Sequence, residues 1–502
     1  MKIIIRVDAN STIGNGHLMR CLTLATALKA NEHDITFICL EENRKQITSL
    51  VNNDFSIIFF NIERDKSHNN NSFEQQDALG CIKATQPLNV FDLCIVDHYS
   101  LAKSWQLLML RQSKKIMVID DLANRKHYAD ILLDQSLNRP DTDYQKFVPK
   151  HCILLTGSEH ALLRPEFSAV RKKAIQRHFS TTKIESILVS IGGTDPLNVT
   201  EKVIKALISL QQAIPTLFAN IVLASNAANK VTIQKHCQKH SWMNLLIDSP
   251  NIAKLIHSAD IAIGASGSTA WERCCLGLPT LSVITASNQE FIAKTLENEN
   301  AQINLGFAEA LTPEYIHEQL ILLASDNKHY VSMVKSSSEI CDGLGVNRVI
   351  KAINDAFKDQ TSLILATAGD CSVVFEWQSN PELRKFSRNP KAIKWQEHQA
   401  WFTTTLKSKT KTLFIIKHND IPCGVLRLDI INSTTQEISI LLSASHHGKN
   451  IASNAIKSIP LDYKKRDIMA NVHPKNVASH KLFTRAGFNK IAIDQYILPA
   501  TV

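Results

Sequence analysis

The sequence predicts an α/β protein in three parts: two doubly wound, Rossmann-like domains in tandem, then a smaller α+β domain. Three observations carry this. The chain has 502 residues, too many for one hydrophobic core. Strand-length apolar runs alternate with helical stretches through about residue 345, the pattern of parallel sheets covered on both faces. After Gly343 and Gly345 the pattern changes to consecutive strands, as in an antiparallel meander.

Each part can be followed along the chain. In the first domain, residues 1–160, strands are expected at Ile3–Val7, Ile35–Leu40, Ser56–Phe60, Leu93–Asp97, Lys115–Asp120, Ile131–Asp134 and Cys152–Thr156, with Asn69-Asn70-Asn71 in a polar loop. The second domain, residues 161–358, opens with a basic helical stretch, Arg164 to Lys183, and closes with a helix at Val346–Lys358. Its strands are expected at Ser186–Ile191, Ala219–Leu223, Asn244–Asp248, Ile261–Gly264 and Thr280–Val283. Two such domains in tandem place a cleft between their carboxyl strand ends. In the third domain, residues 361–502, strands are expected at Asp370–Trp377, Leu413–Lys417, Gly424–Ile430, Glu437–Leu442 and Asp467–Val472, with helices from Ile451 and Ala478.

Composition narrows the function classes. With 44% hydrophobic and 21% charged residues, this is an ordinary globular composition. The net charge of +9 is spread along the chain and suits anionic ligands such as nucleotides or coenzyme A. No long basic run with interleaved aromatics occurs, so nucleic acid is not an expected partner. Eleven scattered cysteines without a Cys-x-x-Cys suit a reducing cytoplasm and argue against a disulfide framework or a zinc site. The chain starts on a strand with Arg6 and Asp8 close behind, so neither a signal peptide nor a membrane span is expected.

The chemistry-bearing residues gather at strand ends. After Ile3–Ile5 comes the turn Gly14-x-Gly16, then a helix with His17 on its first turn. The third glycine of a dinucleotide fingerprint would fall at Met19, so that fingerprint fails. A helix N-terminus and Arg20 both favour a neutral imidazole, as a general base requires. The same turn fits a phosphate site in which His17 only donates, and the spacing leaves both readings open. Asp97-His98-Tyr99 closes a strand; Tyr99 suits a hydrogen bond to a sugar, and Asp97 either orients a base or caps a helix. Asp120-Asp121 reads as a cap. Gly192-Gly193-Thr194-Asp195 follows a strand and opens a helix, where backbone N–H groups can approach a phosphate. Gly264-Ala265-Ser266-Gly267-Ser268-Thr269-Ala270-Trp271-Glu272 is the strongest nucleotide signal. Ser268 and Thr269 offer donors to a pyrophosphate, and Glu272, one turn on, is placed to accept from a ribose. Asn288 and Gln289 are loop amides at the cleft edge. With a separate nucleotide turn in the second domain, His17 is freed from holding phosphate, and the general-base reading becomes the better one.

Residues 1 to about 345 resemble the UDP-sugar hydrolase family of pseudaminic acid biosynthesis. The matching strings are RVDANSTIGNGHLMRCLTLA, CIVDHYSL, VSIGGTDPLN, GASGSTAWERCCLGLPTLSV, ASNQ and CDGLGVNRV, in order through both domains. The resemblance implies a GT-B fold, no metal, and release of UDP from UDP-2,4-diacetamido-2,4,6-trideoxy-β-L-altropyranose. It implies that His17 activates water. It also implies that Tyr99 and Asn288 lie at the sugar site, that Ser268 and Thr269 hold the pyrophosphate, and that Glu272 holds the ribose. Gly16, Arg20, Gly193 and Gln289 are further candidate substrate-binding residues, Gly193 as a helix start that can hold the developing charge of UDP. The alternative is a GT-B glycosyltransferase that passes the sugar to another acceptor.

Residues 361–502 resemble GNAT-type N-acetyltransferases through NPELRKFSRNPKAIKWQEHQAWF, ISILLSASHHGKNIASNAI and NVHPKNVASHKLFTRAGF. The resemblance implies acetyl-CoA as cofactor, contacted by Gly448, Lys449, Asn476 and Ser479, and acetylation of a UDP-4-amino-sugar. Ser445 and Asn450 stand where the family pattern has Arg or Gln and a small residue, and Phe483 where many relatives have Tyr. A non-catalytic binding module is the alternative for this domain.

Overall fold

The run Ile3-Ile4-Ile5, apolar on consecutive rather than alternate residues, forms the centre of a parallel sheet, where both faces are covered. All three side chains are fully buried. The computed structural model describes every residue except 10–14, 52–53, 63–71, 87, 89, 193–194, 359–360, 388, 420 and 501–502. The Asn69–Asn71 loop lies outside the described residues. The chain divides into two units, Met1–Ala356 and Phe357–Val502.

The first unit contains two parallel sheets. One runs Ser56–Phe60, Asp34–Leu40, Lys2–Val7, Phe91–Asp97, Ser113–Ile119, Ile131–Asp134 and Ile153–Thr156 from edge to edge. The other runs Met243–Ile247, Phe218–Leu223, Ser186–Ser190, Ile261–Ala265, Thr280–Ile284 and Ile303–Phe307. The last of these escapes the sequence pattern because Asn304 and Gly306, the latter at φ 83°, interrupt its apolar run. The helix Pro165–Phe179 belongs with the second sheet: Phe167 and Ala174 pack with Trp271, Cys274 and Leu276.

Each sheet reverses its strand order once. In the first, Lys2–Val7 lies beside Phe91–Asp97, with Val7 opposite Asp97. In the second, Ser186–Ser190 lies beside Ile261–Ala265, with Ser190 opposite Gly264. At such a switch point the connections leave in opposite directions and open a crevice at the carboxyl ends of the strands.

The second unit is a mixed sheet in the order Thr361–Leu365, Lys411–His418, Ile421–Ile430, Thr435–Leu442, Asp467–Asn471, Gln495–Leu498 and Asn489–Lys490. Thr435–Leu442 and Asp467–Asn471 are parallel and pair only from Thr435 to Glu437, so the two strands part beyond that point. The strand expected at Asp370–Trp377 is instead a helix, Cys371–Ser379, preceded by a short turn of 3-10 helix at Ala368–Asp370. Its Val-Val-Phe-x-Trp composition favours a strand. A capping box between Thr367 and Asp370 and burial of Val374 with Trp377, three residues apart, make it helical. Thr361–Leu365 supplies the edge strand in its place.

Candidate active site

His17 is the second residue of the helix Gly16–Ala30, which follows the first sheet's switch-point strand. The residue is 8% exposed. Its Nδ1 lies 2.5 Å from Oδ1 of Asp97, at the end of the adjoining strand. An ionised carboxylate only accepts, so Nδ1 is the donor in this bond and Nε2 is turned away from Asp97. Arg20, one turn on, donates through Nε to Asp97 Oδ2 at 2.6 Å and through Nη2 to Oδ1 at 2.7 Å. Its Nη1 reaches Asp121 Oδ2 at 3.2 Å. Burial by itself would raise the Asp97 carboxyl. The charges and hydrogen bonds of Arg20 and His17 outweigh that and hold it well below the usual carboxylate range. From the sequence, Arg20 bears directly on His17. In the structure Arg20 Nη2 does lie 3.2 Å from His17 Nδ1, and the Arg20 charge is answered by the Asp97 and Asp121 carboxylates.

Tyr99 stands edge-on to the His17 imidazole, with centroids 4.7 Å apart. Its hydroxyl donates to Asp121 Oδ1 at 2.9 Å and accepts from Asn288 Nδ2 at 2.9 Å. Burial, and then the Asp121 carboxylate, push the phenol well above its ordinary value, so it stays protonated. Asn288 belongs to the turn Ser287–Gln289 after the strand Thr280–Ile284, so this bond crosses the cleft. Sequence reasoning set Asp121 aside as a cap. Asp120 has that character, accepting from the Leu122 and Ala123 amides at 3.3 and 3.1 Å, while Asp121 faces the cleft. The position of Asp121 at a strand's carboxyl end was the available signal.

At the second switch point, Ser268 precedes the helix Thr269–Leu276. A Cβ built on Gly16 would lie 3.5 Å from Ser268 Oγ, so the His17 helix and the Ser268 turn meet closely across the cleft. The Glu272 side chain is 18% exposed and lies 3.7 Å from Arg164 Nη2. Burial pushes its carboxyl up to about 7, against the pull of Arg164 and Arg273. Gln289 Oε1 accepts from the Thr285 amide and hydroxyl at 3.0 and 3.1 Å, which fixes that loop. The cleft has a volume of about 500 Å³ and is lined by Gly16, His17, Arg20, Tyr99, Ser268, Thr269, Glu272, Asn288 and Gln289, among others. Sequence reasoning missed Arg164, another of its walls.

Gly193 lies outside the described residues. The helix that the sequence places directly after it begins only at Val199. Its first N–H groups are taken by the chain's own Asp195 carboxylate, which accepts from Val199 and Thr200 at 2.9 Å each. That helix end is therefore capped by an anion from within.

In the second unit, Gly448 has φ 79° and open space where a Cβ would stand, a backbone cradle compatible with a bound coenzyme. Asn450 adopts φ 59°, and Lys449 is exposed. Asn476 Oδ1 accepts from the Ser479 amide at 3.1 Å and so caps the helix Val477–Arg485. Phe483 is buried against Phe488, with ring centroids 5.1 Å apart. Asn471 Nδ2 donates to Glu437 Oε1 at 2.7 Å where the two parallel strands part.

Among the described residues, no group of three or more His, Cys, Asp or Glu side chains is arranged to hold a metal ion. No described helix is long and apolar enough to cross a membrane.

Residues 186–349 match the glycosyltransferase family 28 C-terminal domain, and residues 362–489 match the acetyltransferase (GNAT) domain. An uncharacterised protein of Methanocaldococcus jannaschii is 25% identical over 98% of this chain and 97% of its own length. The UDP-2,4-diacetamido-2,4,6-trideoxy-β-L-altropyranose hydrolase of Campylobacter jejuni is 26% identical over 60% of this chain and 98% of its own. The spore coat polysaccharide biosynthesis protein SpsG of Bacillus subtilis is 24% identical over 72% of this chain and 100% of its own. Among solved structures, MurG of Acinetobacter baumannii shares the fold of the first unit, with a TM-score of 0.50 at 14% identity, covering 70% of this chain and 99% of MurG.

Proposed function

Because this chain joins a GT-B unit to a GNAT domain, we propose that its first unit hydrolyses a UDP-linked diacetamido-trideoxy sugar, of the altropyranose type, to free sugar and UDP in pseudaminic acid biosynthesis. The observation that carries this reading is the His17–Asp97 pair facing the Ser268–Glu272 turn across one cleft. The diphosphate sits on Ser268 and Thr269 at the N-terminus of an eight-residue helix, whose dipole favours negative charge. Glu272 accepts from the ribose. Tyr99, Asn288 and Gln289 contact the sugar. Asp97 holds the Nδ1–H of His17, and Nε2 takes a proton from water as the water oxygen bonds to the anomeric carbon. The bond from that carbon to the UDP oxygen breaks, and its electron pair leaves with the diphosphate, where developing charge is stabilised in place. Gly16 keeps the first helix close to the nucleotide, and Arg20 acts through Asp97.

His17→Ala and His17→Asn test this. Each should bind UDP within about threefold of the parent and lose roughly 10²–10⁴ in turnover. In ¹⁸O water the parent should place label in the sugar and not in UDP. Near-normal turnover by either variant removes His17 as the base. A second reading, transfer to an acceptor other than water, draws on the family 28 match over residues 186–349. It predicts little free sugar when UDP-sugar is incubated alone.

In the second unit, Gly448, Lys449, Asn476 and Ser479 would hold acetyl-CoA, which supplies an acetyl group for the 4-amino group of the UDP-sugar precursor. The two activities are then successive steps on one substrate. The full chain carrying His17→Ala should release coenzyme A thiol when given acetyl-CoA and the UDP-4-amino-sugar. Absence of thiol release would leave the domain a binding module.

A further inference from the structure

Beneath the Ser268–Thr269 turn the protein keeps a positive charge with no negative partner of its own. Arg273 is 4% exposed. Its Nη1 donates to Thr269 Oγ1 at 3.1 Å and its Nη2 to the Ala265 carbonyl at 2.7 Å. Its Nε is buried without a hydrogen-bond partner, as is the hydroxyl of nearby Ser266. Both acceptors are neutral, and among the described residues no carboxylate forms an ion pair with the guanidinium. Its sequence neighbour Glu272, with its carboxyl pushed up to about 7, is a weak counter-charge. Burial, opposed by Cys274 and Glu272, lowers Arg273 itself to about 10.

A buried cation without an anion is costly, so its retention asks for an anion that arrives from outside. The backbone is built to hold the cation at this place. A Cβ on Gly264 would stand 2.7 Å from Nη1 and 3.0 Å from Cζ, so the guanidinium fits against the end of that strand only because residue 264 is glycine. The two hydrogen bonds also direct the turn. Thr269 Oγ1 accepts from Arg273, which leaves its own proton free to point into the cleft that Thr269 lines. The Ala265 carbonyl is drawn toward the guanidinium and away from an approaching anion.

We propose that Arg273 is a positioning residue for the diphosphate: a buried cation, acting through Thr269 and Ala265, whose missing counter-charge is supplied by the bound nucleoside diphosphate. This rests on reading the cleft as a UDP site. The cleft then prefers a nucleoside diphosphate to the bare nucleoside by an amount that depends on the charge at position 273.

Calorimetric titration of the full chain with UDP and with uridine tests it. The parent should prefer UDP. Arg273→Gln, neutral but still a donor, should lose about 20-fold or more for UDP while uridine changes less than about threefold. Arg273→Lys keeps the charge and should hold the UDP preference within about fivefold of the parent. Equal losses for UDP and uridine in Arg273→Gln, which leave its UDP preference unchanged, or a UDP preference lost in Arg273→Lys, would show a merely structural arginine and overturn the proposal. If Arg273→Gln does not fold, Arg273→Lys decides alone by whether the UDP preference survives. A parent that binds neither ligand overturns the UDP reading of the cleft itself, an outcome separate from a parent that prefers UDP and a variant that keeps that preference.

Discussion

Glu272→Gln should stabilise the protein, and by an amount that grows with pH. Burial raises the Glu272 carboxyl from 4.5 to about 7, so between those values the folded chain holds a proton that the unfolded chain has released. Stability must therefore fall as pH rises through that window, because the fold disfavours the charged form. Glutamine has the same shape and never ionises. Linkage gives a variant advantage of about 0.8 kcal/mol near pH 5 and about 3 kcal/mol near pH 8. For a domain of this size that is about 2 °C in the thermal midpoint at the lower pH and roughly 6–12 °C at the higher. Thermal unfolding of parent and variant without ligand, followed at both pH values, reads the difference directly. Binding carries the opposite sign: the proposed ribose acceptor is the carboxylate, so uridine affinity should rise with pH through about 7 in the parent and stay flat in the variant. A midpoint difference that is the same at both pH values would refute a buried, raised carboxyl at this position.

Other residues give equally direct outcomes. Asp97→Asn leaves Arg20 short of a carboxylate in a buried setting and should cost about 3–5 kcal/mol of stability. It should also lower turnover by about 10²–10⁴ with UDP affinity nearly unchanged, since the wrong His17 tautomer is no longer excluded. Turnover within tenfold of the parent in a folded Asp97→Asn protein would remove Asp97 as the orienting group. Gly345→Ala would set a Cβ 2.3 Å from the Ala161 carbonyl oxygen, where the helix Gly345–Ala356 starts against the backbone at residues 160–161. A loss of about 1–3 kcal/mol is expected by chemical denaturation, with the Phe357–Val502 unit unaffected.

The parallel sheets were legible because fully buried strands announce themselves as unbroken apolar runs, as at Ile3–Ile5 and Ile261–Ile263. What was not legible depended on partners distant in sequence. Ile303–Phe307 is a strand by virtue of the edge it joins, not its own composition. Cys371–Ser379 reads as strand by propensity, and a capping box together with a three-residue burial spacing overrules it. At the cleft, residue types near glycine turns marked His17, Ser268 and Glu272. The placement of Asp121 at the cleft and the burial of Arg273 behind it depend on what surrounds them. One aspartate of an adjacent pair folds back onto its own loop while the other meets Tyr99 and Arg20, and nothing in Asp-Asp says which.

The pairing of His17 with Asp97 spans 80 residues of chain and depends on the register that sets Val7 opposite Asp97. Side chains alternate faces along a strand, so a slip of one residue would turn Asp97 to the far side of the sheet. Parallel pairings of such separation form late, after the entropy of closing a long loop has been met. The pair that fixes the imidazole's tautomer is then a report of completed folding. A misregistered chain displays the histidine but lacks the carboxylate that orients it, so under the proposed function turnover would wait until the sheet has closed.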